Sequence, residues 1–189
     1  MPFTMSLSER EAFLAGPHVG VLAVGDDGAQ PAGRLLAVPI WYSYRPGGVL
    51  TILTGRDSAK ARRIRASGRF ALCAQQEEPP CRYVSVEGPV VAIEDGIDPA
   101  ERAAMAHRYM PPATARAYLA ATTEQLTADI AIRMRPERWL SADFAAVAAR
   151  FDARTEARTD GRPEEARSDA RPGRTGAEQG AEHPEPGHG

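Results

Sequence analysis

Cysteine, lysine, long apolar runs and net charge are all scarce in this chain, and each shortage excludes something. Only two cysteines occur among 189 residues, Cys73 and Cys81, flanking the segment AQQEEPP. A disulfide across a hairpin is geometrically conceivable for that spacing, but two free thiols are the expectation in a reducing compartment. No Cys-x-x-Cys pair is present, and the four histidines, His18, His107, His183 and His188, are scattered, so no metal site is expected. No segment approaches the ~20 apolar residues that span a bilayer. The start, MPFTMSLSEREAF, lacks the charged-then-apolar order of a secretory signal. A cytoplasmic location and no membrane partner follow as expectations. A formal net charge of −2 speaks against a dedicated nucleic-acid binder with a global positive field. Lysine is scarcer still than cysteine. Of 23 lysine and arginine residues, Lys60 is the only lysine.

What is present reads as many short strands with few helices. Ser6-Leu7-Ser8-Glu9 is a capping box, opening a short helix that buries Phe13 and Leu14 and stops near Gly16-Pro17. Apolar runs follow in HVGVLAVGDDG, RLLAVPIWYSY, GVLTILTG and RFALCAQQ. RYVSVEGPVVAI alternates with the period of a half-buried strand. Glu87-Gly88-Pro89 within it marks a bend. Asp98-Pro99-Ala100-Glu101 supplies an N-cap, a first-turn proline and a capping glutamate. It predicts a helix to about Met110, and a second helical pattern runs from Pro112 to about Leu126. ADIAIRMRPERW is the last expected strand, with Ile130, Ile132 and Met134 on one face. The pattern suggests a closed or sandwiched antiparallel β architecture with flanking α-helices.

The first three apolar runs carry apolar residues on both faces, as in Val19/Val21 against Leu22/Val24. One face fills a core, and the other needs a cover. A second copy of the chain is the economical cover, because obligate homodimer surfaces resemble a core; the chain's own helices are the alternative. After Phe151 no aromatic residue occurs, and the text turns to Arg, Glu, Asp, Gly, Pro and Ala. Such a composition cannot offset its ordering entropy. We therefore read one domain over residues 1–149 and a disordered charged tail over residues 150–189.

The chemistry concentrates in TILTGRDSAKARRIR. A strand ends at Thr54-Gly55 and a helix starts near Asp57 or Ser58. Helix N-termini offer unpaired N–H groups and a positive dipole end, which attract anions. Thr54 and Ser58 add hydroxyls, while Arg56 and Lys60 add charge. A cation in a first helical turn opposes the dipole by ~0.3–1 kcal/mol, a cost that a bound anion reverses. Lysine suits a phosphate as a compact point charge on a flexible stem. The bland alternative is a solvated basic face on which only Ala61 and Ile64 touch the core.

VPIWYSY, then LTILTGRDSAKARRIR, then RYVSVEG, taken in that order, resemble the split β-barrel superfamily of pyridoxamine 5′-phosphate oxidase-like proteins. The nearer likeness is to its flavin/deazaflavin oxidoreductases, common in actinobacteria. The resemblance spans about Ser6 to Phe144. It implies a homodimer of six-stranded antiparallel split β-barrels with the cofactor in a groove between subunits. The cofactor phosphate then maps to Thr54, Gly55, Arg56, Ser58 and Lys60, with Arg62 nearby. The flavin-type ring maps to Pro39, Ile40, Trp41 and Tyr42, and the partner's strand to Arg82 and Tyr83. Trp41 read by itself is a core residue, and Arg82 read by itself is an ion-pair partner of Glu77, Glu78 or Glu87. Pyridoxamine phosphate oxidases proper usually have glutamine where Tyr83 stands, and their C-terminal binding segment finds no match beyond Phe144. Pyridoxamine phosphate oxidation itself is therefore not expected.

The implied function is that of an oxidoreductase. It would bind the deazaflavin coenzyme F-420 or FMN and pass hydride to or from a small organic substrate. The cofactor carries the redox chemistry in such proteins, which accords with the lack of any Ser/His/Asp or Cys/His arrangement. A binding or storage protein on the same fold is the alternative. A polyanion module built on Arg56 to Arg69 is the third reading, and it lacks interleaved aromatics.

Overall fold

The computed structural model describes residues 3–25, 34–123, 128–145 and 147–148. The elements run α1 (Leu7–Leu14), β1 (Gly20–Val24), β2 (Leu36–Ile40), β3 (Tyr42–Ser43), β4 (Leu50–Gly55), α2 (Ala59–Ser67), β5 (Arg69–Gln76), β6 (Arg82–Asp95), α3 (Pro99–Tyr109), α4 (Pro112–Thr122), β7 (Asp129–Met134) and β8 (Arg138–Asp143). Every strand pairing is antiparallel, in the order β2-β1-β5-β6-β7-β4-β3, with β8 added beside β6. The fold is a mainly antiparallel split barrel with flanking helices, as expected. Its strand count differs from the expected six: among the described residues eight strands form. One extra arises because RLLAVPIWYSY breaks at Trp41 into β2 and β3. The other is β8, where Arg138 to Asp143 pairs with the first half of β6. Its exposed Arg138 and Leu140 hid the period-two pattern.

The 14-residue β6 joins the two halves of the sheet. Arg82 to Glu87 lies between β5 and β8, and Val90 to Asp95 pairs with β7 after a register shift between Val90 and Ala92. Gly88 sits buried at the crossing. The sheet order begins with β2 and ends with β3, consecutive pieces of one chain run. The barrel therefore closes through the covalent backbone at Trp41 rather than through a ladder. Leu22, Leu50, Ile52, Leu72, Ile130 and Ile132 fill the interior and are fully buried.

Helix starts follow the sequence signals. Ser6 and Glu9 form the reciprocal capping box of α1. Ser58 caps α2, and Gly68 ends it in the left-handed conformation that glycine adopts at least cost. Asp98 caps α3 through Ala100 N at 2.8 Å. Glu101, expected as a capping glutamate, instead binds Arg133 at 2.9 Å. α4 ends at Thr122; residues 124–127 and the expected tail at 150–189 lie outside the described residues. Both cysteines are free thiols.

Coverage of the second sheet face is divided. The α3–α4 hairpin covers the β3-β4-β7 side, where Leu53, Met105 and Ala106 line one small cavity and Arg102 meets Asp129 at 3.0 Å. The outer face of β2-β1-β5-β6-β8 has no such cover among the described residues. Leu140 is 70 % exposed there and Val21 41 %, and Leu35, just before β2, is 80 % exposed. No helix among the described residues is long and apolar enough to cross a membrane.

Candidate functional site

The β4–α2 corner gathers five of the expected residues. Thr54 ends the buried run of β4, and its Oγ1 lies 3.1 Å from Ser58 Oγ. Ser58 Oγ accepts from Ala61 N at 3.2 Å, which satisfies one of the four first-turn amides left open by any helix. The amides of Ala59 and Lys60 have no acceptor among the described residues. Gly55 pairs with Asp129 of β7, and Arg56 N donates to Ala128 O at 3.0 Å. The Arg56 guanidinium meets Asp95 at 3.2 Å, both side chains being largely exposed. Such a pair contributes only about 0–1 kcal/mol, so Arg56 can be recruited elsewhere cheaply. Lys60 is half-buried in the first turn and has no hydrogen bond or ion pair among the described residues. Arg62, Arg63 and Arg65, by contrast, all donate to backbone carbonyls.

Two uncapped amides, two hydroxyls, the ammonium of a half-buried lysine and an exposed guanidinium make a donor set for a phosphate-sized anion. Neutral ligands would leave the ammonium unpaired.

The run expected to meet the cofactor ring divides between strand and core. Pro39 is exposed on β2, an edge of the ladder, where a missing N–H costs no pairing. Ile40 turns inward. Trp41 is half-buried at the break, stacked on Tyr109 (centroids 5.2 Å apart, planes at 7°) and edge-on to Tyr118 at 5.8 Å. Tyr42 is fully enclosed, and its hydroxyl donates to Leu14 O at 2.9 Å. Burial, reinforced by Tyr109, raises its phenol well above the usual range. That hydroxyl is therefore committed to the core and is no source of a proton for a surface ligand.

Arg82 and Tyr83 part company. Neighbours on a strand point to opposite faces. Tyr83 lies opposite Gln75 and Ala142 and is 38 % exposed on the uncovered face. Arg82 points the other way, toward α1, with its guanidinium 5.5 Å over the Phe13 ring and 3.6 Å from Asp143. Its acidic partner is thus Asp143 rather than Glu77, Glu78 or Glu87. Glu87 pairs with Arg138 at 3.2 Å and Arg69 at 3.8 Å.

Tyr109 and Arg108 are missed by the sequence reading. Tyr109 Oη accepts from Tyr42 N at 3.1 Å and reaches Tyr42 O at 2.8 Å and His18 O at 3.0 Å. It therefore supplies the pairing that the β2–β3 break removes. Arg108 donates to the last carbonyls of α1, at Ala15 and Gly16. Both lie at the C-terminal end of α3, and nothing local in HRYMPP signals contacts some 90 residues away. No group of three or more His, Cys, Asp and Glu side chains able to hold a metal occurs among the described residues.

The family model of pyridoxamine 5′-phosphate oxidase matches residues 7–143. The chain belongs to that family. Among solved structures it is similar to an F420 reductase, with 24% identity and a TM-score of 0.53 over 69% of this chain and 94% of that one. It is also similar to the conserved hypothetical protein Rv2991 from Mycobacterium tuberculosis, with 22% identity and a TM-score of 0.58 over 77% and 89% of the two chains. Likeness at this identity is likeness of fold. No curated protein matches the chain.

Proposed function

We propose that this chain is an oxidoreductase that binds a phosphorylated flavin-type cofactor, deazaflavin F-420 or FMN, between two copies of itself. Lys60 carries the reading. It is half-buried and unpartnered among the described residues, two residues after Ser58 of the Thr54–Ser58 hydroxyl pair and in the same first turn as the uncapped amides of Ala59 and Lys60. A phosphate oxygen would give that ammonium a charge-assisted partner. The likeness to an F420 reductase supports the deazaflavin, and the family supports FMN. When bound, the cofactor supplies the hydride chemistry.

The chain's own residues position and shield. Lys60 and Arg56 neutralise the phosphate, while Thr54, Ser58 and the α2 amides orient it. The exposed Pro39 edge and the half-buried Trp41 offer a flat apolar wall for a ring. Tyr83 of a second copy, on the uncovered face, closes the groove from the other side. The substrate is a small organic molecule taken up beside the ring.

Titration of the purified protein with FMN and, separately, with coenzyme F-420, followed by absorbance and fluorescence, tests this. One of the two should bind, and Lys60→Glu should weaken it by at least about a hundredfold, the loss of one or two charge-assisted hydrogen bonds. Equal affinity in the variant removes Lys60 from the site, and no affinity for either cofactor removes the reading. Turnover with the reduced cofactor separates an enzyme from a carrier.

A further inference from the structure

A second cavity, of about 340 Å³, opens at the α1 end of the barrel and is lined by Met5, Glu9, Phe13, His18, Arg82 and Asp143 among others. It lies on the opposite side of β6 from Tyr83, away from the β4–α2 corner. Its size falls in the lower part of the range of small-ligand clefts, about 300–1,000 Å³.

Its walls hold unspent charge of both signs. Arg82 Nε is buried with no hydrogen-bond partner among the described residues, and its Nη1 stands 3.6 Å from Asp143 Oδ2, beyond hydrogen-bond length. Asp143 Oδ1 is held by Ala145 N at 2.8 Å. Glu9 spends one oxygen, Oε2, on both Ser6 N at 2.7 Å and Ser6 Oγ at 2.6 Å, leaving Oε1 without a partner among the described residues. Between them lies an aromatic floor. Phe13 stacks on His18 with centroids 4.2 Å apart, and Met5 adds a thioether. Burial, together with Arg108 and Arg82, holds His18 below its usual range, so it brings hydrogen-bonding capacity without adding a second cation to the lining.

A plain anion in this cavity meets two carboxylates, and a plain cation meets Arg82. Only a ligand carrying both charges satisfies every wall. We propose that the cavity binds a small zwitterion of the amino-acid class: its carboxylate on Arg82, its ammonium on Glu9 and Asp143, and its apolar side chain on Phe13 and Met5. Arg82 is then a ligand-binding residue of this second site. The proposal does not depend on the cofactor site.

Calorimetric titration and thermal melts of the full chain test it, with L-phenylalanine and L-leucine as probes and N-acetyl-L-phenylalanine and L-phenylalaninamide as blocked controls. At least one free amino acid should bind at millimolar concentration or better, and each control about tenfold or more weakly, since each lacks one charge-assisted contact. Glu9→Gln keeps the capping box, which accepts Glu or Gln at that position, so the ligand-free melt should be unchanged while affinity falls about tenfold. Arg82→Lys, which keeps the charge but loses the fork, should weaken binding as well. Absence of binding by both amino acids overturns the proposal. So does equal binding of the blocked controls, or affinity unchanged in both variants.

Discussion

Gly88 shows how much a single side chain can decide. A Cβ built on it would lie 1.8 Å from Arg135 O and 3.0 Å from Met134 Sδ. The obstructing carbonyl is backbone and cannot swing aside, so any side chain forces the β6–β7 crossing apart. Gly88→Ala should therefore cost at least ~3 kcal/mol, the upper end of overpacking penalties, read as a lowered urea midpoint. An ordinary melt for this variant would mean that the strands approach less closely than described. Lys60 makes the opposite point, because its position asks for a partner that the described residues do not supply. At both positions the residue type was legible in the sequence, Gly88 as a bend and Lys60 as an isolated lysine. The 1.8 Å approach and the missing partner were not.

Among the elements, one arginine ties α3 to three strands at once. Arg133 of β7 reaches Glu94 of β6 at 2.7 Å, Glu101 of α3 at 2.9 Å and Thr51 of β4 at 3.1 Å. Arg133→Met should cost about 1–3 kcal/mol, between the worth of exposed and buried pairs, measured by thermal or urea unfolding. A pH dependence accompanies it. The hydrogen bond from Arg133 holds the Glu94 carboxyl below its usual 4.5. A carboxyl depressed in the fold contributes stability above its unfolded value and loses it as pH falls through the lower folded one. The wild-type chain should thus weaken below pH 4.5, and Arg133→Met should show a shallower acid dependence. Identical acid profiles would exclude Arg133 as the cause. The α3–α4 hairpin was legible from Asp98-Pro99 and Pro111-Pro112. Its docking was not, since Glu101 fits a capping pattern and pairs across the fold instead.

For the whole molecule, the two faces of the sheet make the argument. One part is roofed by α3 and α4. The other presents Val21, Leu35 and Leu140 to solvent, a face suited to a second copy of the chain. A stable dimer buries about 800 Å² per partner. Val21→Glu combined with Leu140→Asp should shift the protein to a monomer in sedimentation velocity, with the fold retained by circular dichroism. If the groove between copies is the cofactor site, affinity for the cofactor falls with it. A wild-type monomer, or a dimer indifferent to both charges, would leave that face to another role.

Periodicity and caps in the sequence determined the mainly β class, most strand positions, the α1, α2 and α3 starts and the strand-to-helix corner at Thr54 to Lys60. These signals are local, set by backbone sterics and by which residues can close a helix end. The tertiary structure decided what depends on distant pairing. It split the second run at Trp41, where Tyr109 supplies the missing hydrogen bonds, and added β8, which gains its stability from β6 rather than from its own pattern. It also sent Arg82 and Tyr83 to opposite sides of the sheet. Alternation along a strand separates neighbours in sequence, and only the fold shows what each one meets.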